Sequence, residues 1–187
     1  MKNNRHITHK EIKTHKKIKE KIVGLAKGDI YAFPMVDEWK WKSFDGTMNV
    51  SADDFIKEHI DDEFYIGTDS DVNGHGAKFV TSLIAYRWGT GGCSISYIQK
   101  TPDMGNMRPR LLSEAIRSLH LAYYLDDRIP KDKIINIHLD VNANPEHKSN
   151  KCKEEAVGKF MTQGKRFRPM WKPDAWGASS VADRKTK

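Results

Sequence analysis

The sequence has few of the features that mark secreted or membrane-bound proteins. Its 187 residues include only two cysteines, Cys93 and Cys152, which is too few for a disulfide framework or a zinc cluster. No apolar run approaches the roughly 18 residues that a membrane span requires. The first ten residues, MKNNRHITHK, carry no apolar stretch behind their charges. We therefore expect a cytoplasmic protein with no secretory signal and no membrane partner.

Negative charge is scarce at both ends of the chain. Residues 1–30 contain nine Lys and Arg residues and three acidic residues. Residues 163–187 contain seven Lys and Arg residues and two acidic residues. The whole chain has a net charge of +7, so the stretch between these ends is mildly acidic. Basic ends around an acidic body favour a polyanion partner such as nucleic acid. The alternative is a solvated charged surface that binds nothing.

The first fifty residues differ from the rest of the sequence. Thr8-His9-Lys10-Glu11 has the form of a capping box, and Ile18 and Ile22 follow at helical spacing. Gly28 then closes the predicted helix. We interpret residues 1–50 as a basic helical N-terminal extension.

From residue 51 onward the pattern is that of an α/β domain. Ser51, with Asp54 three residues later, predicts the start of a short helix. Three strands joined by glycine-containing turns then form an antiparallel meander. The order continues as helix, strand, helix, strand and helix, and Pro169 predicts that the fifth strand lies at an edge. The strands are predicted at 64–70, 78–88, 93–100, 134–142 and 166–171, and the longer helices at 110–125 and 150–163.

Two carboxylates end the first predicted strand, in the run FYIGTDSDVNGHG. Because strand side chains alternate, Asp69 and Asp71 share one face if the extended geometry persists. The run also resembles the first half of an EF-hand loop, but the twelfth position is Val80 and both flanks are strand-like, which argues against such a calcium site. Asp71 is either a turn residue or a group that supports the site.

The helix predicted at 110–125 carries an acidic residue in an unusual place. At about 100° per residue, Glu114 falls inside the apolar arc of the helix. A lone buried carboxylate is costly unless it is paired or bound to a metal. Two interpretations are therefore open, an ion pair with Arg110 or Arg117 and a metal ligand.

The fourth predicted strand repeats the pattern of the first. Its polar face carries Asn136, His138, Asp140 and Asn142, and Asp140 ends this strand as Asp69 ends the first. We interpret His138 as a structural histidine. Strand-end carboxylates that converge with a helix glutamate could hold a divalent metal through hard oxygen ligands.

Four segments together resemble the YkuK-like family of bacterial and phage proteins, within the ribonuclease H-like superfamily. The resemblance covers roughly residues 51–187 and implies an α/β fold of ribonuclease H type, with a mixed five-stranded sheet in the order β-β-β-α-β-α-β-α. The segments are YIGTDSDV (65–72), RLLSEAIRSLHLA (110–122), IHLDVNANPEHKSNK (137–151) and KPDAWGASSVADR (172–184).

The same resemblance implies a metal-dependent nuclease that cleaves phosphodiester bonds with two Mg²⁺ or Mn²⁺ ions. The implied ligands and catalytic residues are Asp69, Glu114, Asp140 and Asp183. Asp174 competes with Asp183 for the last position, although a residue beside Pro173 is ordinarily a helix cap. Residues that could support the site are Asp71, Asn142 and Asp174.

Basic residues near the C-terminus are the candidate contacts to nucleic acid, whether RNA, DNA or a hybrid. The N-terminal extension could also touch phosphates, with Trp39 and Trp41 available for stacking on bases, or could bind a protein partner. The alternative function is a non-catalytic protein of this fold that binds nucleic acid or a host protein. The candidate contacts are Lys165, Arg166, Arg168, Lys172 and Arg184.

Overall fold

A computed structural model of the protein describes ten elements that lie in one α/β unit. The described residues are 34–72, 76–102, 104, 106–142, 144, 146 and 166–176. A short 3-10 helix, Val36–Glu38, comes first. The other elements are β1 (Trp41–Ser43), β2 (Asn49–Val50), α1 (Ala52–Glu58), β3 (Glu63–Val72), β4 (Gly76–Arg87), β5 (Gly91–Pro102), α2 (Met107–Asp126), β6 (Ile135–Asn142) and β7 (Phe167–Lys172).

The strands form one mixed sheet in the order β2-β1-β5-β4-β3-β6-β7. The antiparallel meander predicted from the glycine turns is confirmed as β3, β4 and β5. Strand β3 pairs antiparallel with β4 and parallel with β6, so it lies where the sheet changes direction. Strand β7 lies at the edge, as Pro169 predicted, because proline cannot donate to a second neighbouring strand.

Helix α2 covers one face of the sheet and supplies much of the core. Pro109 stands in its first turn, where the missing N–H costs no hydrogen bond, and residues from Leu111 to Leu125 are buried. Its contacts run across β3, β4 and β6. The Ser118 hydroxyl meets the Thr68 hydroxyl at 2.9 Å inside this contact, so the packing also pairs buried polar groups. The helix is thereby fixed over the centre of the sheet.

The predicted sheet of five strands is incomplete, because β1 and β2 add two more at the β5 edge. Strand β1 pairs with β2 and with β5, so part of the predicted N-terminal extension joins the sheet. Gly46, with φ of +80°, allows the tight turn of this hairpin. These strands have three and two residues, which is too short for an alternation of apolar and polar residues to show. The sequence pattern therefore could not predict them.

The interpretation of Trp39 and Trp41 as residues available for base stacking is wrong. Both side chains are buried, with 5% and 3% of their surface exposed. Trp39 stacks on Tyr97 with ring centroids 4.6 Å apart, and Trp41 lies 5.4 Å from Trp39. Aromatic rings of this size stabilise a core by the area that they bury. These residues attach the hairpin to the sheet.

Helix α1 begins as its sequence predicts. The Ser51 hydroxyl accepts a hydrogen bond from the Asp54 backbone N–H at 3.2 Å, which is the predicted N-cap. The helices predicted at 8–28, 150–163 and after Pro173 lie outside the described residues, apart from a first helical residue at Trp176.

Candidate metal centre

Asp69 and Asp140 lie on adjacent parallel strands at matching positions. The last registered pair between β3 and β6 is Gly67 with His138. Asp69 and Asp140 each follow two residues later, so alternation turns both side chains to the face of the sheet opposite α2. Both are partly exposed, and an oxygen of Asp69 accepts from the backbone N–H of Ser70 at 2.8 Å. The two predicted strand-end carboxylates are therefore brought together.

Glu114 lies on the other side of the same strand end. It is 3% exposed, and its Oε1 accepts a hydrogen bond from the hydroxyl of Ser70. Arg110, one turn earlier on α2, donates from Nη1 to the Ser70 carbonyl and hydroxyl oxygens, each at 2.8 Å. The same Nη1 lies 3.5 Å from Glu114 Oε1. Of the two partners considered for Glu114, Arg110 forms the ion pair. Arg117 donates to Ser113 and Gln99 and interacts with Glu114 through its charge.

The electrostatics of Glu114 join the three carboxylates into one cluster. Burial raises the pKa of Glu114 well above its ordinary value, against the opposing effect of the Ser70 hydrogen bond. The negative charges of Asp69 and Asp140 raise this pKa further, and Arg110 lowers it. A buried carboxylate close to two others is stabilised in its charged form by added positive charge. We call Asp69, Glu114 and Asp140 the carboxylate cluster.

One oxygen of the cluster has no hydrogen-bond partner among the described residues. Glu114 Oε2 is buried and unsatisfied, which is costly for a charged acceptor unless a cation is supplied. A small cavity lies beside it, bounded by α2, β3 and β6. The residues that line this cavity include Thr68, Leu111, Glu114, Ser118, Asp140 and Val141.

Asp140 has a protein cation as its partner. Lys172, the last residue of β7, forms an ion pair with Asp140 Oδ1, and the two side chains are 41% and 25% exposed. Lys172 was predicted as a contact to nucleic acid, and the structure places it beside the carboxylate of Asp140. Sequence spacing gave no sign of this pair, because the contact joins residues on different strands.

The other predicted site residues are distributed unevenly. Asp71 is exposed and lies opposite Lys78 in the β3–β4 register. Asp174 is exposed and precedes the first helical residue, Trp176, by two positions. Asn142 ends β6, but its side chain lies outside the described part of the structure. Asp183, Lys165 and Arg184 also lie outside the described residues.

Arg166 and Arg168 have different environments. Arg166 forms an ion pair with Asp126 and donates to the carbonyl oxygens of Pro130 and Lys133. Its guanidinium therefore joins the end of α2 to the start of β7, and its contact with nucleic acid stays a prediction. Arg168 is exposed, in keeping with the surface position predicted for it.

Ser70 and Arg110 are site residues that the sequence analysis did not assign. The available signal was alternation on β3, which turns Ser70 toward α2 while Asp69 turns away. Arg110 precedes Glu114 by four residues, the spacing at which helix side chains meet. Both contacts require knowing which helix covers β3, and the sequence order alone does not give that.

The donors present fit a divalent cation in chemistry. Hard cations such as Mg²⁺ and Mn²⁺ prefer carboxylate oxygens, and the cluster offers three carboxylates with one unsatisfied buried oxygen. Within the described ranges, however, no three His, Cys, Asp or Glu side chains are already grouped at ligand distances. The fourth predicted ligand, Asp183, is not among the residues described.

Comparison with known proteins identifies the family. The family model described as Ribonuclease H-like matches residues 47–187, and the chain belongs to this family, the YkuK family. Neither the search of curated proteins nor that of solved structures gave a match. The α/β fold with a mixed sheet agrees with the family, although the sheet has seven strands. None of the helices in the described part of the chain has the length and apolar character needed to cross a membrane.

Proposed function

We propose that this protein is a metal-dependent nuclease of the ribonuclease H-like superfamily. The observation that carries the proposal is the buried Glu114, whose unsatisfied oxygen lies next to the charges of Asp69 and Asp140. The negative charges of Asp69 and Asp140 repel that of Glu114. Such an arrangement is maintained at a cost in stability, and that cost is expected where the charges bind a cation.

In this proposal Asp69, Glu114, Asp140 and Asp183 hold two Mg²⁺ or Mn²⁺ ions. Bound divalent ions supply an activated water and stabilise the leaving oxygen in phosphodiester cleavage. Ser70 and Arg110 orient Glu114 through their contacts with Oε1. The other oxygen, Oε2, would then be the atom that binds the metal. Nucleic acid is the substrate class that the family favours, and basic residues outside the cluster would hold its phosphates.

The test is cleavage of labelled RNA, DNA and hybrid substrates with Mn²⁺ or Mg²⁺. We expect Asp69→Asn and Asp140→Asn to abolish cleavage while the far-ultraviolet circular dichroism remains that of the wild type. Asp69→Asn removes one negative charge from a repulsive cluster, so its melting temperature without metal should hold or rise. Asp140→Asn also loses the partly exposed ion pair with Lys172, so its melting temperature should change little. Stabilisation by added metal should shrink. Undiminished cleavage by both variants would refute the catalytic assignment.

A second candidate is a non-catalytic binding protein that keeps this fold. The ion pair between Lys172 and Asp140 favours it, because a lysine can neutralise the site without metal. A binder of this kind should show no metal-dependent turnover, and Asp140→Asn should leave its affinity for nucleic acid or for a protein unchanged. Turnover that disappears in Asp140→Asn would decide for the nuclease.

A further inference from the structure

Five rings form a connected cluster on the sheet, which we call the aromatic surface. Trp176 is its centre, with ring centroids 5.2 Å from Tyr65, 5.3 Å from His138 and 5.9 Å from Tyr86. Trp88, just after β4, extends the cluster through a T-shaped contact with Tyr86 at 5.7 Å. The members are Tyr65, Tyr86, Trp88, His138 and Trp176.

The aromatic surface lies on the same face of the sheet as Asp69 and Asp140. Tyr65 precedes Asp69 by four residues on β3, and His138 precedes Asp140 by two on β6, so alternation gives each pair a common face. At about 3.3 Å per residue, Tyr65 and Asp69 are roughly 13 Å apart along the strand. An extended ligand could therefore contact the aromatic surface and the carboxylate cluster together.

Two of the rings are more exposed than side chains that only cover the core would be. Trp88 is 77% exposed and Trp176 is 39% exposed, whereas His138 is buried beneath Trp176. Tryptophan is seldom left this exposed without a partner, since its burial is among the most favourable available. Trp39 and Trp41, by contrast, are buried in the core. The exposed rings are therefore the ones available for contact with another molecule.

Two charged side chains act on the Tyr65 hydroxyl of the aromatic surface. The Tyr65 hydroxyl donates to Glu63 at 2.7 Å, and burial together with this bond raises the pKa of Tyr65 to about 12. The positive charge of Arg168, on β7, acts in the opposite direction on the same hydroxyl. Arg168 is exposed and could still pair with a phosphate.

We propose that the aromatic surface binds unpaired nucleobases, which makes single-stranded nucleic acid the preferred ligand. This rests on the proposed function only in taking nucleic acid as the ligand class. A base in a single strand presents its π-face to a protein ring, whereas a paired base in a duplex is covered by its neighbours. Stacking on aromatic side chains is tolerant of sequence, so the surface selects strandedness and not base identity.

Trp88 provides the sharpest test, because its ring packs on Tyr86 at the surface and is 77% exposed, so its removal leaves the core intact. Binding of the full chain to labelled oligothymidylate, oligouridylate and a duplex is measured in EDTA, so that no cleavage occurs. Trp88→Leu should weaken single-strand binding on the order of ten-fold, and Trp88→Tyr should retain most of it, since tyrosine keeps a flat ring. Phe44→Leu, at a 49% exposed site on the β1–β2 hairpin, is the matched control and should bind as the wild type does.

Two further readouts separate this inference from its rivals. The slope of log K against log salt should be the same in Trp88→Leu and in the wild type, because stacking releases no counterions. Duplex affinity should be unaffected by the substitution. Equal losses for duplex and single strand, or equal single-strand affinity for Trp88→Leu and Trp88→Tyr, would overturn the proposal.

A separate cleavage assay with Mn²⁺, run beside the binding assay in EDTA, distinguishes failure of this inference from failure of the nuclease proposal. A wild-type protein that shows the Trp88 effect but cleaves nothing would refute the nuclease and leave the aromatic surface standing. A protein that cleaves nucleic acid but binds single strands equally well with and without Trp88 would refute the aromatic surface and leave the nuclease proposal standing.

Discussion

Glu114 is the residue whose position is hardest to explain by folding alone. It is buried between α2 and the sheet, where burial and the neighbouring carboxylates both disfavour its charged form. Ser70 and Arg110 satisfy Oε1 but leave Oε2 unsatisfied. An apolar side chain of similar volume would cost the fold less at this position. The buried carboxylate is therefore best explained by the cation that we propose for the site.

Lys172 provides a prediction at this scale, because its ammonium group competes with a metal ion for Asp140. Lys172→Gln should raise the affinity for Mn²⁺, measured by calorimetry. The pair is partly exposed, so solvent reduces its effect to about 1 kcal/mol, or roughly five-fold in Kd.

Lys131→Gln is the matched control, since Lys131 forms a comparable exposed pair with Asp126 at 3.3 Å. Its Mn²⁺ affinity should equal that of the wild type. Equal affinities in all three proteins would show that Lys172 does not compete for the site.

At the scale of elements, the sequence predicted the long strands, their antiparallel meander and α2, but not the side-chain contacts between elements that are distant in sequence. Alternation in β3 and β6 correctly located Asp69 and Asp140 at strand ends, because period-two patterning is a local property. The pairing of Asp140 with Lys172 and the contact of Ser70 with Glu114 join distant parts of the chain. Such contacts depend on topology, which a single sequence specifies only weakly.

The burial of the tryptophan residues was equally difficult to predict from the sequence. A Trp residue in a sequence is compatible with a core position and with an exposed stacking position, and Trp39 was assigned to the wrong one. Its burial depends on Tyr97, which lies on β5 and is distant in sequence. The exposed rings at Trp88 and Trp176 gave no pattern that separated them from core residues.

The final segment of the chain carries the prediction that belongs to this scale. Asp183→Asn should lower metal-dependent cleavage by orders of magnitude with little loss of stability, because its carboxylate is the proposed fourth ligand. Asp174 is exposed and precedes Trp176 in a turn, so Asp174→Asn should preserve activity. The two variants are matched in chemistry, and cleavage rates with Mn²⁺ compare them directly. Loss of activity in Asp174→Asn alone would move the fourth ligand to that position.

At the scale of the whole molecule, charge is separated along the chain. The described unit carries the carboxylate cluster, whereas nine of the 32 Lys and Arg residues lie within residues 1–30. Basic segments of this kind contribute a salt-dependent, sequence-independent share of nucleic-acid binding. We therefore expect the N-terminal residues to set the strength of binding and the carboxylate cluster to set the chemistry.

Removal of residues 1–27 tests this division. Affinity for all nucleic-acid sequences should fall alike, and the slope of log K against log salt should become shallower by roughly 0.7–0.9 for each lost phosphate contact. Melting temperature is the control, since the sheet and α2 begin after the deleted residues. A slope equal to that of the full chain would assign the N-terminal segment to a structural role or to a protein partner.

Crystals of the protein soaked in Mn²⁺ test the central claim most directly. Anomalous scattering should give two peaks at the carboxylate cluster, bounded by Asp69, Glu114 and Asp140, with Lys172 displaced from Asp140. Two ions in that place are what a two-metal nuclease requires. Absence of any peak there in Mn²⁺-soaked crystals, with Lys172 still paired to Asp140, would contradict the account.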